Sequence, residues 1–143
     1  MKVPLKTTIL LLVLSTLVCA DRYSMYDKYE LNLYTKECSD SNPKACKNLA
    51  DIYMDDEVIP PNKPKALGLY KKACKAGNTS ACLIAGTILE SGSGVEQDLY
   101  ESVIYFDIAC KRGSSLACKI LSTMYKKNSK KAEAYKKLSQ EYK

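Results

Sequence analysis

The chain has 143 residues, with 22 lysines and arginines, 16 aspartates and glutamates, seven cysteines and no histidine, and its net charge is +6. The absence of histidine excludes Ser-His-Asp and Cys-His catalysis, the H-E-x-x-H zinc enzymes and any imidazole proton shuttle. The length suits one domain that can bury a hydrophobic core. No window clusters basic with aromatic residues, so we expect no nucleic-acid partner.

The first 20 residues are typical of a secretory signal peptide. Lys2 and Lys6 supply positive charge ahead of a largely apolar stretch, 7–20. Ala20 then precedes a predicted cleavage ahead of Asp21. The stretch is shorter than the roughly 20 residues that a membrane span needs, so no span is expected. Cleavage removes two lysines and one cysteine, leaving 123 residues, a net charge of +4 and six cysteines. An even number of cysteines in an exported chain predicts disulfides and a secreted or periplasmic location.

The six remaining cysteines mark an internal repeat. They form pairs eight residues apart, and successive pairs begin 36 residues apart: Cys38 and Cys46, Cys74 and Cys82, Cys110 and Cys118. The same spacing aligns further columns without a gap, among them Tyr34, Tyr70 and Phe106, and Ala45, Ala81 and Ala117. A period between 20 and 50 residues predicts a solenoid. Within a repeat domain over 21–143, we place the repeats at about 29–64, 65–100 and 101–136, with a capping helix to residue 143.

The spacing within each unit is helical. Apolar residues recur at three- and four-residue steps, and no stretch shows the alternation of a strand. Gly77 and Gly113 are well placed to end a helix, and polar residues that can cap the next helix follow them. In the first unit Ser41, Asn42 and Pro43 offer a cap and a proline at the first helical position. The prediction is an all-α fold with helices at 26–39, 43–56, 64–76, 79–91, 98–112, 115–127 and 130–142.

Each cysteine pair spans one predicted turn between two helices. An eight-residue step across a tight turn can bring the two Cα atoms to about 5.5–6 Å, a distance that suits a disulfide. Fifteen pairings are possible, and the repeat favours the local set Cys38–Cys46, Cys74–Cys82 and Cys110–Cys118. Each bond should contribute about 2–3 kcal/mol to stability. Spacing, compartment and missing histidine argue against a metal site, so no metal and no cofactor are expected.

One stretch of the sequence resembles a known family. Residues 65–100, KALGLYKKACKAGNTSACLIAGTILESGSGVEQDLY, resemble a Sel1-like repeat, notably in the G-x-G-V element at 92–95. The paired cysteines and the 36-residue period are similar to the secreted Helicobacter cysteine-rich protein family. The resemblance covers residue 29 to about 136, and only the second unit has the G-x-G-V element. It implies an α-solenoid of helical hairpins, each cross-linked by a disulfide.

The resemblance also implies two functions of different classes. Sel1-like repeats mostly serve as scaffolds that bind proteins, and we therefore expect a groove that binds a protein, a peptide or a cell-wall fragment. We also expect a monomeric chain. Some members of the cysteine-rich family are described as penicillin-binding β-lactamases, which makes a weak β-lactam hydrolase the alternative. The cell-wall fragment that the scaffold would bind is peptidoglycan, and the ligand of the hydrolase would be a β-lactam.

Few residues are candidates for a site. Glu30 and Glu37 stand where the other units have alanine or serine, and their seven-residue spacing places them on one helix face. They form either the polar end of the array or a binding face for a basic partner. Tyr23, Tyr26 and Tyr29 belong to no repeat column and either cover the end of the array or contact a partner.

The sequence assigns no catalytic residue. Ser41 and Lys44 match the S-x-x-K motif of serine β-lactamases, but the mature chain has no K-T-G element and no predicted sheet to carry one. Ser41 aligns with the turn glycines, and helix capping accounts for it. The binding scaffold is therefore the leading hypothesis.

Overall fold

Helices alternate along the chain in two sets. The computed structural model describes residues 28–55, 59–125 and 129–142, and in these ranges it contains seven helices and no strand. They are α1 (residues 28–39), α2 (Pro43–Met54), α3 (Lys63–Lys75), α4 (Thr79–Ser91), α5 (Leu99–Lys111), α6 (Ser115–Met124) and α7 (Lys130–Glu141). We call α1, α3, α5 and α7 the A helices and α2, α4 and α6 the B helices. The predicted all-α solenoid of helical hairpins is confirmed.

Two helices end two and three residues before their predicted ends. Helix α6 ends at Met124 and not at residue 127, because Tyr125 has an extended backbone (φ −79°, ψ 148°) and its ring stacks on Tyr135 at 5.6 Å. Helix α2 ends at Met54 because Asp55 is extended (φ −92°, ψ 153°). The predicted signal peptide, 1–20, lies outside the described residues.

One turn geometry recurs within all three hairpins. The backbone N–H groups of Ser41, Gly77 and Gly113 each donate to the carbonyl of the cysteine three residues earlier, at 2.9–3.1 Å. All three residues have positive φ, 67°, 106° and 94°. This is the left-handed ending that glycine favours at the C-terminus of a helix.

The residue after each left-handed residue caps the following B helix. The side-chain oxygens of Asn42, Asn78 and Ser114 accept from backbone N–H groups in the first turns of α2, α4 and α6. Pro43 occupies the first position of α2, as predicted. Ser41 was expected to act as a cap, but Asn42 has that role and Ser41 is the left-handed residue of the turn.

Three disulfides link the A helix of each hairpin to its B helix. They join Cys38 to Cys46, Cys74 to Cys82 and Cys110 to Cys118, which confirms the predicted pairing. The Cα atoms are 4.5–4.7 Å apart, closer than the predicted 5.5–6 Å, because only three residues separate the two helices. All six cysteines are buried and form part of the core.

A glycine on the B helix α4 leaves room for a ring of the next A helix, α5. A Cβ atom at Gly86 on α4 would lie 2.7 and 2.8 Å from Cδ1 and Cε1 of Phe106 on α5, closer than carbon atoms approach each other. Only glycine therefore leaves room for this ring, which is fully buried. Phe106 thus fixes the distance between the second and third hairpins.

Cations of each hairpin bind the end of the preceding A helix. Lys72 Nζ donates to the carbonyl of Cys38 at 2.6 Å, and Arg112 Nη1 donates to the carbonyl of Cys74 at 2.6 Å. Carbonyls in the last turn of a helix lack partners within it, and cations there are favourable. These contacts therefore stabilise the stacking of consecutive hairpins.

Candidate interaction surface

The A helices turn one face away from the B helices. On α3 and α5 the buried positions recur at helical spacing, and the opposite positions are exposed or half-exposed. We call these opposite positions the outer face: Pro64, Gly68, Lys72 and Lys75 on α3, and Tyr100, Ile104, Ile108 and Lys111 on α5. The 36-residue repeat places each α3 residue of the set in line with one on α5.

The first turns of α5 expose large apolar side chains. Leu99, Tyr100 and Ile104 are 52%, 82% and 43% exposed, and we call them the α5 patch. The repeat-equivalent residues on α3 are Lys63, Pro64 and Gly68. Isolated exposed apolar residues are common, whereas a cluster on one surface is typical of a contact with another molecule.

Helix α3, beside the α5 patch, is strongly basic. Its 13 residues include no acidic residue and five lysines: Lys63, Lys65, Lys71, Lys72 and Lys75. Lys71 Nζ lies 2.7–2.8 Å from both carboxylate oxygens of Glu101 on α5 and 5.8 Å from the centre of the Tyr105 ring. This ion pair joins the two helices, so that the basic and apolar faces form one surface.

The predicted binding residues lie elsewhere. Glu30 and Glu37 are half-buried on α1, and Glu37 Oε2 accepts from Asn42 Nδ2 at 3.3 Å. Glu37 thus holds the residue that caps α2, and a binding role for the two glutamates stays a prediction. Tyr29 on α1 is 66% exposed, while Tyr23 and Tyr26 lie outside the described residues.

The α5 patch was not predicted, although the repeat columns contain a signal for it. Glu30 and Glu37 stand out because acidic residues replace alanine or serine in their columns, and a second kind of change replaces lysine, proline or glycine by an apolar residue. At three columns the change from α3 to α5 is of the second kind. Because those positions face away from the B helices, such a change adds apolar side chains to the surface and not to the core.

Two tyrosines, the buried Tyr70 and the half-buried Tyr135, act in the structure as hydrogen-bond donors. The hydroxyl of Tyr70 donates to Asp51 Oδ1 at 2.6 Å, and that of Tyr135 donates to Asp107 Oδ1 at 2.7 Å. Burial, and then the neighbouring carboxylate, raises the pKa of both phenols well above the usual value. Both phenols are therefore neutral at physiological pH. Tyr70 connects the first two hairpins, and Tyr135 connects α7 to the third hairpin.

The surface offers hollows but no metal cluster in the described residues. One open hollow has a volume of about 570 Å³ and lies beside Asp51, Lys63 and Tyr70. Within the described ranges, no group of three or more histidine, cysteine, aspartate or glutamate side chains could hold a metal ion. No helix there is long and apolar enough to span a bilayer.

Comparisons with known proteins agree with this architecture. A family model of the Sel1 repeat matches residues 43–78 and 79–114. The fold is similar to the crystal structure of a Sel1 repeat protein from Oxalobacter formigenes, with a TM-score of 0.67 and 20% identity over 78% of this chain and 48% of that one. It is also similar to c5321, a protective antigen present in uropathogenic Escherichia coli strains displaying an SLR fold, with a TM-score of 0.65 and 19% identity over 78% and 25% of the two chains.

These similarities concern the fold. This chain spans about half the length of the first structure and a quarter of the second. No curated protein matches it. Each matched repeat unit comprises a B helix and the following A helix, whereas each disulfide joins an A helix to the following B helix.

Proposed function

This chain belongs to the Sel1 repeat family, and we propose that it is an exported scaffold that binds a protein or peptide partner. In this proposal residues 1–20 are a signal peptide, and residues 21–143 work as a repeat domain in the periplasm or outside the cell. The three disulfides support that location, because such bonds persist in oxidising compartments and are rare in the cytosol. The resemblance to the secreted Helicobacter cysteine-rich proteins agrees with it.

The observation that carries the proposal is the α5 patch. Tyrosine is enriched where interfaces derive most of their binding energy, and Tyr100 is 82% exposed beside Leu99 and Ile104. The patch lies on a helix that a disulfide, a salt bridge and the buried Phe106 hold in place. A surface that is already ordered loses little conformational entropy on binding.

A selection from a library of random 12-residue peptides, displayed on phage, tests the proposal. The bait is the oxidised protein, immobilised through its C-terminus. We expect enriched peptides that bind the protein in solution with micromolar affinity, and weaker binding by a Tyr100→Ser, Ile104→Ser variant. The matched control is Leu116→Ser, which removes a side chain of similar exposure, 54%, from the B helix α6.

Two outcomes would contradict the scaffold proposal. The first is a library from which no peptide is enriched. The second is binding that the Leu116→Ser control weakens as much as the α5 patch variant does, because the bound surface would then lie elsewhere.

A β-lactam hydrolase is the alternative from the resemblance, and its motif can be tested directly. Ser41 lies in the turn between α1 and α2 with φ 67°, and both Ser41 and Lys44 are exposed. This turn position accounts for Ser41 structurally, so we expect no hydrolysis of a chromogenic cephalosporin by the oxidised, metal-free protein. Hydrolysis that a Ser41→Gly variant loses would establish the alternative.

A further inference from the structure

We infer that the outer faces of α3 and α5 bind an acidic peptide segment that carries apolar side chains, with the segment crossing α3 at Gly68. This inference rests on the proposed function and adds the chemistry of the partner and its position. Three observations support it: an unexplained glycine, the apolar side chains next to it, and the charge of the surface around them.

Gly68 lies in the middle of α3 without a structural reason. Glycine is one of the weakest helix formers, and its backbone here is not left-handed. A Cβ atom at this position would meet nothing within 4 Å, so no neighbour in the protein requires its absence. Glycine is also used where another backbone approaches closely. Because Gly68 lies on the exposed face of α3, such a backbone would belong to a partner.

The large side chains of the α5 patch project from the helix beside α3. In the repeat, Tyr100 is equivalent to Pro64 and Ile104 to Gly68, so that α5 has large side chains at the positions where α3 has short ones. Lys71 and Glu101 hold the helices together at 2.7 Å. A segment lying over Gly68 would therefore place its apolar side chains against Tyr100 and Ile104.

The charge of the surface selects an acidic segment. Helix α3 has no acidic residue. The two acids of α5 are already paired, Glu101 with Lys71 at 2.7 Å and Asp107 with Lys111 at 2.6 Å. Lys72 and Lys75 lie on the outer face, where Lys72 Nζ also donates to the carbonyl of Cys38. Two further acids, Glu96 and Asp98, precede α5, and Asp98 caps that helix, so the lysines of α3 are the main charge of this surface. An interface with complementary charge favours carboxylates here. A second copy of this chain would instead place its own α3 lysines against the α3 lysines of the first, and like charges repel.

Fluorescence anisotropy with two labelled peptides tests the inference. The first peptide has 12 residues, six of them Asp or Glu and three Leu or Phe. In the second, every acid is replaced by its amide. We expect the oxidised protein to bind the acidic peptide at least about tenfold more tightly than the amide peptide, with a difference that shrinks as salt is added.

A Gly68→Gln variant tests the position of the segment. Because the site is open and exposed, the substitution should raise or preserve the melting temperature, since glutamine is the better helix former. The same change should weaken binding of the acidic peptide by about tenfold or more, because the side chain occupies the path of the segment. The matched control is Thr87→Gln on an exposed position of the B helix α4, which should leave binding unchanged.

The outcomes separate this inference from the scaffold proposal. If the library selection yields only neutral or basic peptides, or if Gly68→Gln binds as the natural chain does, this inference is wrong and the scaffold proposal stands. Self-association that Gly68→Gln disrupts would also overturn it, because the occupant would be a second copy. If no peptide of any composition binds, the scaffold proposal itself fails.

Discussion

Helices are joined in two ways in this chain, and the joints differ in how strictly they repeat. From an A helix to its B helix, each joint has three residues, the same backbone hydrogen bonds and a disulfide. From a B helix to the next A helix, the connections differ in length and sequence. The segment 55–62 contains two prolines, and the segment 92–98 contains the G-x-G-V element.

The joints between hairpins depend on side chains, and their chemistry varies. Tyr70 donates to Asp51 at the first such joint, Phe106 fills the space over Gly86 at the second, and Tyr125 stacks on Tyr135 at the third. The covalent joints thus make each hairpin a fixed unit. The relation of one A helix to the next, and with it the surface shared by α3 and α5, depends on non-covalent packing.

Reduction of the disulfides should have the largest effect on stability. Opening a loop of this length costs about 2–3 kcal/mol in the chain-entropy view, and the protein has three such loops. We expect dithiothreitol to lower the melting temperature, followed by far-ultraviolet circular dichroism, by well over about 10 °C. An unchanged melting temperature would mean that the thiols are not joined in solution.

A methyl group at Gly86 should break the second non-covalent joint. Because its Cβ would overlap the Phe106 ring, Gly86→Ala should lower the free energy of unfolding in urea by about 1–3 kcal/mol. Phe106→Leu in the same chain should recover part of the loss. The control is Gly68→Ala, where nothing lies within 4 Å and no loss is expected. Equal losses for the two glycines would contradict this packing.

The repeated joints could be predicted from the sequence, and the variable ones could not. The cysteine pairs, Gly77, Gly113 and the cap residues act over a few residues, so their spacing alone indicates the turn and the disulfide. The end of α6 could not be predicted, because it depends on the stack between Tyr125 and Tyr135, whose positions on two helices are set by the fold.

The candidate surface was hidden from the sequence for a related reason. Exposure of Tyr100 and Ile104 depends on which side of α5 faces the neighbouring helices. From the sequence alone, an apolar residue in a helix is expected to lie in the hydrophobic core. The lysines of α3 are visible in the sequence, but their position next to those residues follows from the contact between Lys71 and Glu101. Proximity between hairpins is therefore the information that the fold adds.

The phenol at the first joint should have a smaller effect than the packing at the second. Tyr70→Phe removes the hydrogen bond to Asp51 and should cost about 1 kcal/mol, because Asp51 keeps its ion pair with Lys47 at 2.6 Å. Chemical denaturation at pH 7 measures this difference. If the free energy of unfolding fell as much as it does for Gly86→Ala, the first joint would depend on the Tyr70 hydroxyl and not mainly on packing around its ring.

The same phenols make stability depend on pH in the alkaline range. Burial first, and then Asp51 or Asp107, raises the pKa of Tyr70 and Tyr135 in the folded chain. The folded state thus retains a proton that the unfolded chain releases near pH 10, so this stabilisation is complete below about pH 10 and is lost at higher pH. A Tyr70→Phe, Tyr135→Phe variant should lose less stability between pH 9 and 11 than the natural chain. Parallel curves would contradict these two raised pKa values.

The smallest expected effect concerns the one covalent joint that departs from the pattern. Ser41 has φ 67° where the equivalent residues are Gly77 and Gly113, and a residue with a Cβ atom is strained in this region. Relief of this strain is partly offset by the larger conformational entropy of glycine in the unfolded chain, so Ser41→Gly should raise the free energy of unfolding by about 0.5–1 kcal/mol, measured in urea with the disulfides intact. Gly113→Ser, the reverse change in the third hairpin, should lower it by a similar amount. If both substitutions lowered stability, the turns would not be equivalent, and the first hairpin would need its serine for a reason other than backbone geometry.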